Sequence, residues 1–376
     1  MNVLRTLKRI MRVFTRPVKP EPGLAILPYR GYGSRDEIFL MGRVSHQRTP
    51  ASKSRSTAGL LAQISRRLLR RGVADADVEI RLGGAGWRIS TDRDGYFRLR
   101  EMLDEPLPPD DRLWHPVRIK VAADQAEEDA VAEGQIYIPP ARARRVIISD
   151  IDDTVMYTGV ANKIKTFWRL FAQDAESRVA FPGVSALYNA LHDGASGDEY
   201  NPLLYVSRGP WGIYEMLDAF FNAHDIPIGP ILFLREWNVR LKSPLPRRAE
   251  DHKADLIRNM LNLYSDMPFV LIGDSGQHDP EIYAAIVRKH PDRVTAVYIR
   301  DVSRSSSRRL EMDELAAEIR KAGSSLVIAD DTYAMARHAA EAGLISDASL
   351  KRVLNERVSE AEPQVRGRKG PVVVEG

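Results

Sequence analysis

The stretch that most constrains this chain is Val146-Ile-Ile-Ser-Asp-Ile-Asp-Asp-Thr154, where an apolar run passes directly into three carboxylates and a threonine. A short β-branched run of this kind reads as a strand buried on both faces of a parallel sheet. The charges begin where the strand ends. In open α/β sheets ligands bind at the carboxyl ends of strands, so Asp150, Asp152, Asp153 and Thr154 are expected at the mouth of a site. Asp150 and Asp152 can face one pocket, with the main chain turning between them. The competing reading of this stretch alone is a solvated acidic turn.

The texture around it sets the architecture. From 145 onward strand candidates at 146–149, 203–206, 231–234, 269–272, 294–299 and 325–328 alternate with helix candidates around 161–174, 184–192, 211–223, 253–264, 279–289, 312–321 and 331–342. That alternation predicts a parallel sheet. Residues 24–140 read as mainly β, with strand candidates at 37–44, 78–82, 87–90, 114–121 and 134–138, a turn at Gly83-Gly-Ala-Gly86, and a hairpin signal at Asp94-Gly95. Together they predict a small sandwich-like module, interrupted by a basic helix at 58–71. The expected domains are a basic amphipathic segment and linker (1–22), a β-rich domain (23–140), an α/β domain (141–354) and a flexible tail (355–376).

Composition bounds the chemistry. The chain has 376 residues and no cysteine, which excludes disulfides, thiolate metal sites and a cysteine nucleophile. No apolar run approaches the ~18 residues that a membrane-spanning helix requires. The net charge of +4 is unevenly placed. Arg5, Lys8, Arg9, Arg12, Arg16 and Lys19 precede the first acid, and a second acid-free basic block spans 47–72. Val3, Leu7, Ile10 and Phe14 fall on one helical face, so residues 1–16 read either as a helix lying on an anionic bilayer or as a helix packed on the protein or frayed. No uninterrupted apolar core follows the charges as in a signal peptide, so the cytoplasm is expected, with peripheral membrane contact as the second reading. No nucleic-acid partner is expected, and the oligomeric state is not readable from the sequence.

Three later segments supply partners for the acidic strand end. Leu204-Tyr-Val-Ser-Arg-Gly-Pro-Trp211 places Ser207 at a strand end with Arg208 and Gly209 behind it, where a hydroxyl and backbone N–H groups suit an anion. Lys253 opens a helix. One helix and one strand separate it from Asp274, so both can reach the same sheet edge. Asp279 follows Asp274 at the next helix start, either as a ligand or as a helix cap. Carboxylate oxygens are hard ligands that suit Mg²⁺, and a lysine and a hydroxyl can hold phosphate oxygens.

The Asp150-Ile-Asp-Asp-Thr154 loop, Ser207, Lys253 and the Gly-Asp-x-x-x-x-Asp pattern at 273–279 resemble the four ordered motifs of the haloacid-dehalogenase-like (HAD) phosphatase superfamily. More narrowly, Ser149-Asp-Ile-Asp-Asp-Thr-Val155, Val206-Ser-Arg-Gly-Pro-Trp211 and Gly273-Asp-Ser-Gly-Gln-His-Asp-Pro-Glu-Ile-Tyr283 resemble the actin-patch-associated phosphatidate phosphatase family. The resemblance implies a HAD-like Rossmannoid α/β domain that hydrolyses phosphatidate to diacylglycerol and phosphate with Mg²⁺. By it Asp150 is nucleophile and metal ligand, and Asp152 is general acid and base and ligates through its carbonyl. Thr154 supports the loop. Ser207, Lys253, Arg208 and Gly209 bind phosphate, while Asp274 and Asp279 serve the metal. Asp153 has no role by this comparison.

Modest covers are expected at 159–181 and 235–251. Ile164, Phe167, Trp168, Leu170 and Phe171 in the first read as core or as a lipid-facing surface. Arg235, Arg240, Lys242, Arg247 and Arg248 in the second would meet anionic head groups or be solvated. Two other functions stay open: the same chemistry on a soluble or protein-borne phosphomonoester, and a non-catalytic membrane or scaffold adaptor on a phosphatase fold. The Thr91-Asp-Arg-Asp-Gly-Tyr-Phe97 stretch resembles a feature of carboxypeptidase-regulatory-like sandwich modules, which implies support or interaction for the β domain.

Overall fold

The computed structural model describes residues 23–46, 72–122, 129–156, 180–209, 211–233, 249–303 and 305–366. The segments read as the N-terminal amphipathic helix, the basic helix at 58–71, the helix at 161–174, nearly all of both covers and the last ten residues lie outside them.

The α/β half is built on a six-stranded sheet in the order β11-β10-β9-β12-β13-β14. Its strands are β9 (Val146–Asp150), β10 (Leu203–Ser207), β11 (Ile231–Phe233), β12 (Phe269–Asp274), β13 (Val294–Arg300) and β14 (Ser325–Ala329). Every pairing is parallel. Every residue of β9, β10 and β12 is buried, as expected of central strands covered on both faces. The described helices are α1 (Val184–Asp193), α2 (Tyr214–Ala223, after a 3₁₀ turn at Trp211–Ile213), α3 (Ala249–Leu263), α4 (Asp279–Lys289), α5 (Ser306–Lys321), α6 (Thr332–Glu341) and α7 (Asp347–Arg366). Two apolar clusters flank the sheet. One contains Ile147, Tyr205 and Ile272, and the other contains Ile148, Leu204 and Leu271, so alternate residues of each central strand serve opposite layers.

Apart from the helix at 161–174, which lies outside the described residues, the expected strands and helices of this half are present, with α3 and α5 beginning earlier than the periodicity suggests. The chain end differs. Residues 355–366, read as tail, continue α7. The helix reaches past 355 because α7 packs on α1 and α6, with Glu356 accepting from Ala186 N–H at 3.0 Å and Arg357 pairing with Asp331 at 3.0 Å. Tertiary contact thus supplies what the polar sequence there does not advertise.

The N-terminal half is one hydrogen-bonded sheet of eight strands: β1 (Leu24–Pro28), β2 (Gly31–Gly33), β3 (Glu37–His46), β4 (Asp77–Leu82), β5 (Ala85–Ser90), β6 (Tyr96–Met102), β7 (Trp114–Val121) and β8 (Ala130–Tyr137). Inward residues alternate along β4 and β7, so Val78 and Ile80 join Val117 and Ile119 against Ile38, Leu40, Phe97 and Leu99 of β3 and β6. The sheet folds back on itself to enclose this core. The turn at Gly83-Gly84 joins a true hairpin, with Leu82 opposite Ala85. Asp94-Gly95 does not. Gly95 takes φ +82° and donates to Asp92 O at 2.9 Å, so the turn is real. Its flanking strands pair elsewhere, however, β5 with β4 and β6 with β3. A turn signal reports local φ/ψ and not which strands pair.

The two halves meet at α2. Tyr29 stacks on Trp211 at 4.8 Å between ring centroids and lies 4.6 Å from Tyr214. Arg30 donates its backbone N–H to Tyr214 Oη at 2.9 Å, and its guanidinium pairs with Asp218. The β1–β2 corner therefore packs on the segment that follows the Ser207 loop.

Candidate active site

The sheet order places β9 between β10 and β12, so Asp150, Ser207 and Asp274 end three adjacent parallel strands. Lys253 reaches the same edge from the first turns of α3. Its Nζ donates to Asp150 Oδ1 at 2.7 Å and to Asp279 Oδ1 at 2.6 Å. Lys253, Asp274 and Asp279 have no solvent exposure and Asp150 only 1%. Buried charges survive only when paired, and a lysine this deep is far from the solvated surface residue that is the usual case.

The site carries more negative than positive charge. Burial pushes the Asp150 carboxyl well above its usual range. Lys253 opposes this, while Asp279, Asp152 and Asp274 add to it. Burial alone would lower the Lys253 ammonium, but Asp150 and Asp279 outweigh it and hold Lys253 well above the ordinary lysine range. Two carboxylates thus bind one ammonium, and two more act on Asp150. Oxygens of Asp150, Asp274 and Asp279 lie within 4.8 Å of one another, and the buried Asp150 Oδ2 has no hydrogen-bond partner. A hard divalent cation fits this donor set, because it takes carboxylate oxygens and offsets their repulsion.

The supporting geometry is local. Asp274 accepts from Gly276 N–H at 2.8 Å and Gln277 Nε2 at 2.8 Å, while its own N–H donates to Asp279 Oδ2 at 3.3 Å. Asp279 is not the cap of α4, where His278 holds the capping position. It is instead the second anchor of Lys253. Gly273 is required by this approach: a Cβ there would sit 2.9 Å from Asp279 Cγ and closer still to its Oδ2. Gly273→Ala is therefore expected to displace Asp279 and loosen Lys253, lowering turnover by roughly 100-fold, the scale of an ångström-sized misplacement. Steady-state kinetics beside a thermal melt would separate that loss from unfolding.

Ser207 is 2% exposed, and its Oγ accepts from Gly209 N–H at 3.0 Å, which curls the loop after β10. Arg208 Nε and Nη2 are buried without a hydrogen-bond partner. Asp152 is half-buried beyond Asp150, and Thr154 is 1% exposed with an unpartnered Oγ1. Asp153 takes φ +56°, in the left-handed region that Asp tolerates better than most residues. The chain folds over at this point, with Val155 N–H donating to Ile151 O at 3.1 Å. The structure thus gives Asp153 a backbone task.

Three residues escaped the sequence reading. Arg300, 3% exposed at the end of β13, donates to Thr154 O at 3.0 Å and Thr332 Oγ1 at 3.1 Å and lies 4.0 Å from the Phe181 ring centroid. The signal was available, since it too is a charged residue at a strand's carboxyl end. Arg308 clamps the loop after β12, donating to Ser275 O at 3.1 Å and Gln277 O at 2.9 Å while pairing with Glu281. Its signal is a basic residue in the first turn of a helix, against the dipole. Gln277, which holds Asp274, has no distinguishing pattern.

Comparison with known proteins agrees with the motifs. Residues 145–301 match the family model of the phosphatidate phosphatase APP1 catalytic domain. Phosphatidate phosphatase APP1 of Saccharomyces cerevisiae is 36% identical over 162 residues, covering 43% of this chain and 26% of that protein. An uncharacterised protein of Schizosaccharomyces pombe is 28% identical over 222 residues, 58% of this chain and 35% of its own length. The chain therefore spans between about a quarter and about a third of the curated relatives it matches. Among solved structures, a carbohydrate acetylesterase from Xanthomonas citri aligns with 80% of this chain and 66% of its own, at 11% identity and a TM-score of 0.27, too low to bear on fold or function. Over residues 145–301 the chain is similar to the APP1 family of phosphatidate phosphatases, as its motifs implied.

Proposed function

We propose that this protein is a Mg²⁺-dependent phosphatidate phosphatase that works through an aspartyl-phosphate on Asp150. The observation that carries the reading is the buried Asp150–Lys253–Asp279 chain beside Asp274, at one sheet edge. The family match over 145–301 supports the lipid substrate.

Ser207, the Gly209 loop, Arg208 and Lys253 hold the phosphoryl oxygens. An Asp150 oxygen attacks phosphorus and the ester P–O bond breaks. Asp152 delivers its proton to the leaving alkoxide, giving diacylglycerol. As a carboxylate it then takes a proton from water, which attacks the acyl phosphate, releasing inorganic phosphate and restoring Asp150. Thr154 and Arg300 hold the loop that carries Asp150 and Asp152. Asp150, Asp274 and the Asp152 carbonyl would hold the cation. Asp279 would share it with lone pairs left after binding Lys253. When bound, Mg²⁺ offsets the negative charge shared by carboxylate and phosphate and polarises the phosphoryl oxygens.

A panel of phosphate esters with and without lipid micelles tests the reading. Release from phosphatidate should exceed release from soluble esters and cease with a chelator, whereas a preference for soluble esters would move the substrate to that class. Independently of turnover, Mg²⁺ at about 100 times its Kd should stabilise the fold by ~2.7 kcal/mol in a thermal melt, and Asp274→Asn should erase that shift. No helix among the described residues is long and apolar enough to cross a membrane.

A further inference from the structure

A cavity of about 300 Å³ lies between the two halves of the molecule. One wall is the edge strand β11 with α3, and the other is the β3–β6 face of the β domain. Its position relative to the candidate active site is fixed by register. Phe233, in its lining, pairs with Ser207 across the β10–β11 ladder. Leu256, also in its lining, lies one turn along α3 from Lys253. The cavity therefore flanks the strand next to the one that ends in Ser207, includes a residue one turn along α3 from Lys253, and extends along α3 to Leu263.

Its walls are mainly apolar. Trp211 lies against Phe233 at 4.6 Å between centroids and also stacks with Tyr29. Phe39 is stacked on Tyr32 at 4.8 Å. The charged groups sit on the β-domain side, and Asn259 of α3 is the polar group opposite. Arg98 is exposed, and Arg100 donates to Glu37 at 2.6 Å. Two arginines against one glutamate leave this side net positive. An aromatic and aliphatic slot at a domain interface with a few convergent polar groups is the usual form of a small-molecule site. A cationic flank next to a phosphate cradle favours an anionic amphiphile over a neutral one.

We infer that this cavity is the subsite for the hydrocarbon chain of the lipid phosphate ester, seating an acyl tail while the phosphate lies against Ser207 and Lys253. The inference rests on the reading of the site as a lipid phosphatase. It also gives the β domain a task in substrate selection, because that domain forms one wall.

The test uses the full chain and dioctanoyl phosphatidate below its aggregation concentration, with glycerol 3-phosphate as the tail-less comparison. Asn259 lines the cavity but is solvent-exposed, so Asn259→Phe narrows the slot without opening the core. The wild type should favour the lipid in kcat/KM, and Asn259→Phe should lose about tenfold or more on the lipid, the worth of a few buried methylenes, with glycerol 3-phosphate unchanged. Arg98→Glu should raise KM for the lipid and leave kcat. A dibrominated-acyl phosphatidate should quench Trp211 fluorescence, an effect removed in Trp211→Phe and reduced in Asn259→Phe. Unaltered chain-length preference in Asn259→Phe, or quenching that ignores both substitutions, would overturn the tail site. Site-specific quenching with no phosphate released from any ester would sustain the tail site and overturn the phosphatase reading instead.

Discussion

Asp150→Asn is expected to abolish phosphate release from phosphatidate, by at least about 10⁴-fold, in the range seen when a covalent nucleophile is removed. The amide is nearly isosteric and keeps a carbonyl oxygen that can accept from Lys253, so the fold should survive. Lys253 also retains Asp279 as a partner. The expected signature is therefore a folded protein with an unchanged melt profile in the absence of metal and no turnover. Rapid-quench detection of phosphorylated protein adds a second readout. A wild-type enzyme trapped with acid should carry acid-stable label on Asp150, and the variant should carry none. Appreciable turnover by the variant would remove Asp150 from the attacking role.

Lys253→Met should have the second largest effect, and it acts on stability as well as on rate. The ammonium is completely buried and joins Asp150 to Asp279 at 2.7 and 2.6 Å. Replacing one partner of a buried pair leaves uncompensated charge behind, which costs about 3–5 kcal/mol. Urea unfolding without metal should show that loss, and Mg²⁺ should recover part of it by taking over the role of counter-charge. The double variant Lys253→Met/Asp279→Asn removes a carboxylate together with the lysine. It should be more stable than the single variant, because the two sites are in contact and their effects do not add. If both variants unfold at the same urea concentration, Asp279 is not part of the charge pair that we describe. Catalysis should stay lost in both, since neither restores a cation for the phosphoryl oxygens.

The parallel half was legible for a simple reason. Strands covered on both faces must be apolar throughout, so Val146–Ser149, Leu203–Val206 and Phe269–Ile272 stand out, and a polar residue at their ends has few purposes other than a site. The β half was legible as strands but not as pairings. Asp94-Gly95 carries the composition of a hairpin, yet β6 leaves that turn to pair with β3, because pairing is decided by which apolar faces can be buried together. The helix through 355–366 was missed because part of its support comes from α1, far away in sequence, where Ala186 N–H donates to Glu356.

The candidate site divides in the same way. Asp150, Asp152, Ser207, Lys253 and Asp274 are marked by position at strand ends or a helix start, and motif resemblance assigns them roles. Asp279 was ambiguous between cap and site, since both readings predict an acid at a helix start, and only the bond to Lys253 distinguishes them. Arg308 and Gln277 act through backbone carbonyls and a neighbouring carboxylate, contacts that leave no periodicity in the chain.

By itself, then, the sequence determined a parallel sheet with carboxylates, a hydroxyl and a lysine at its carboxyl edge, because burial and backbone periodicity are local constraints written residue by residue. Only the tertiary structure decided that Lys253 bridges Asp150 and Asp279, that Arg300 holds the Thr154 carbonyl and that the β domain walls a cavity against β11 and α3. These depend on distances between residues on different elements, which are set when the layers pack and one buried charge must find another.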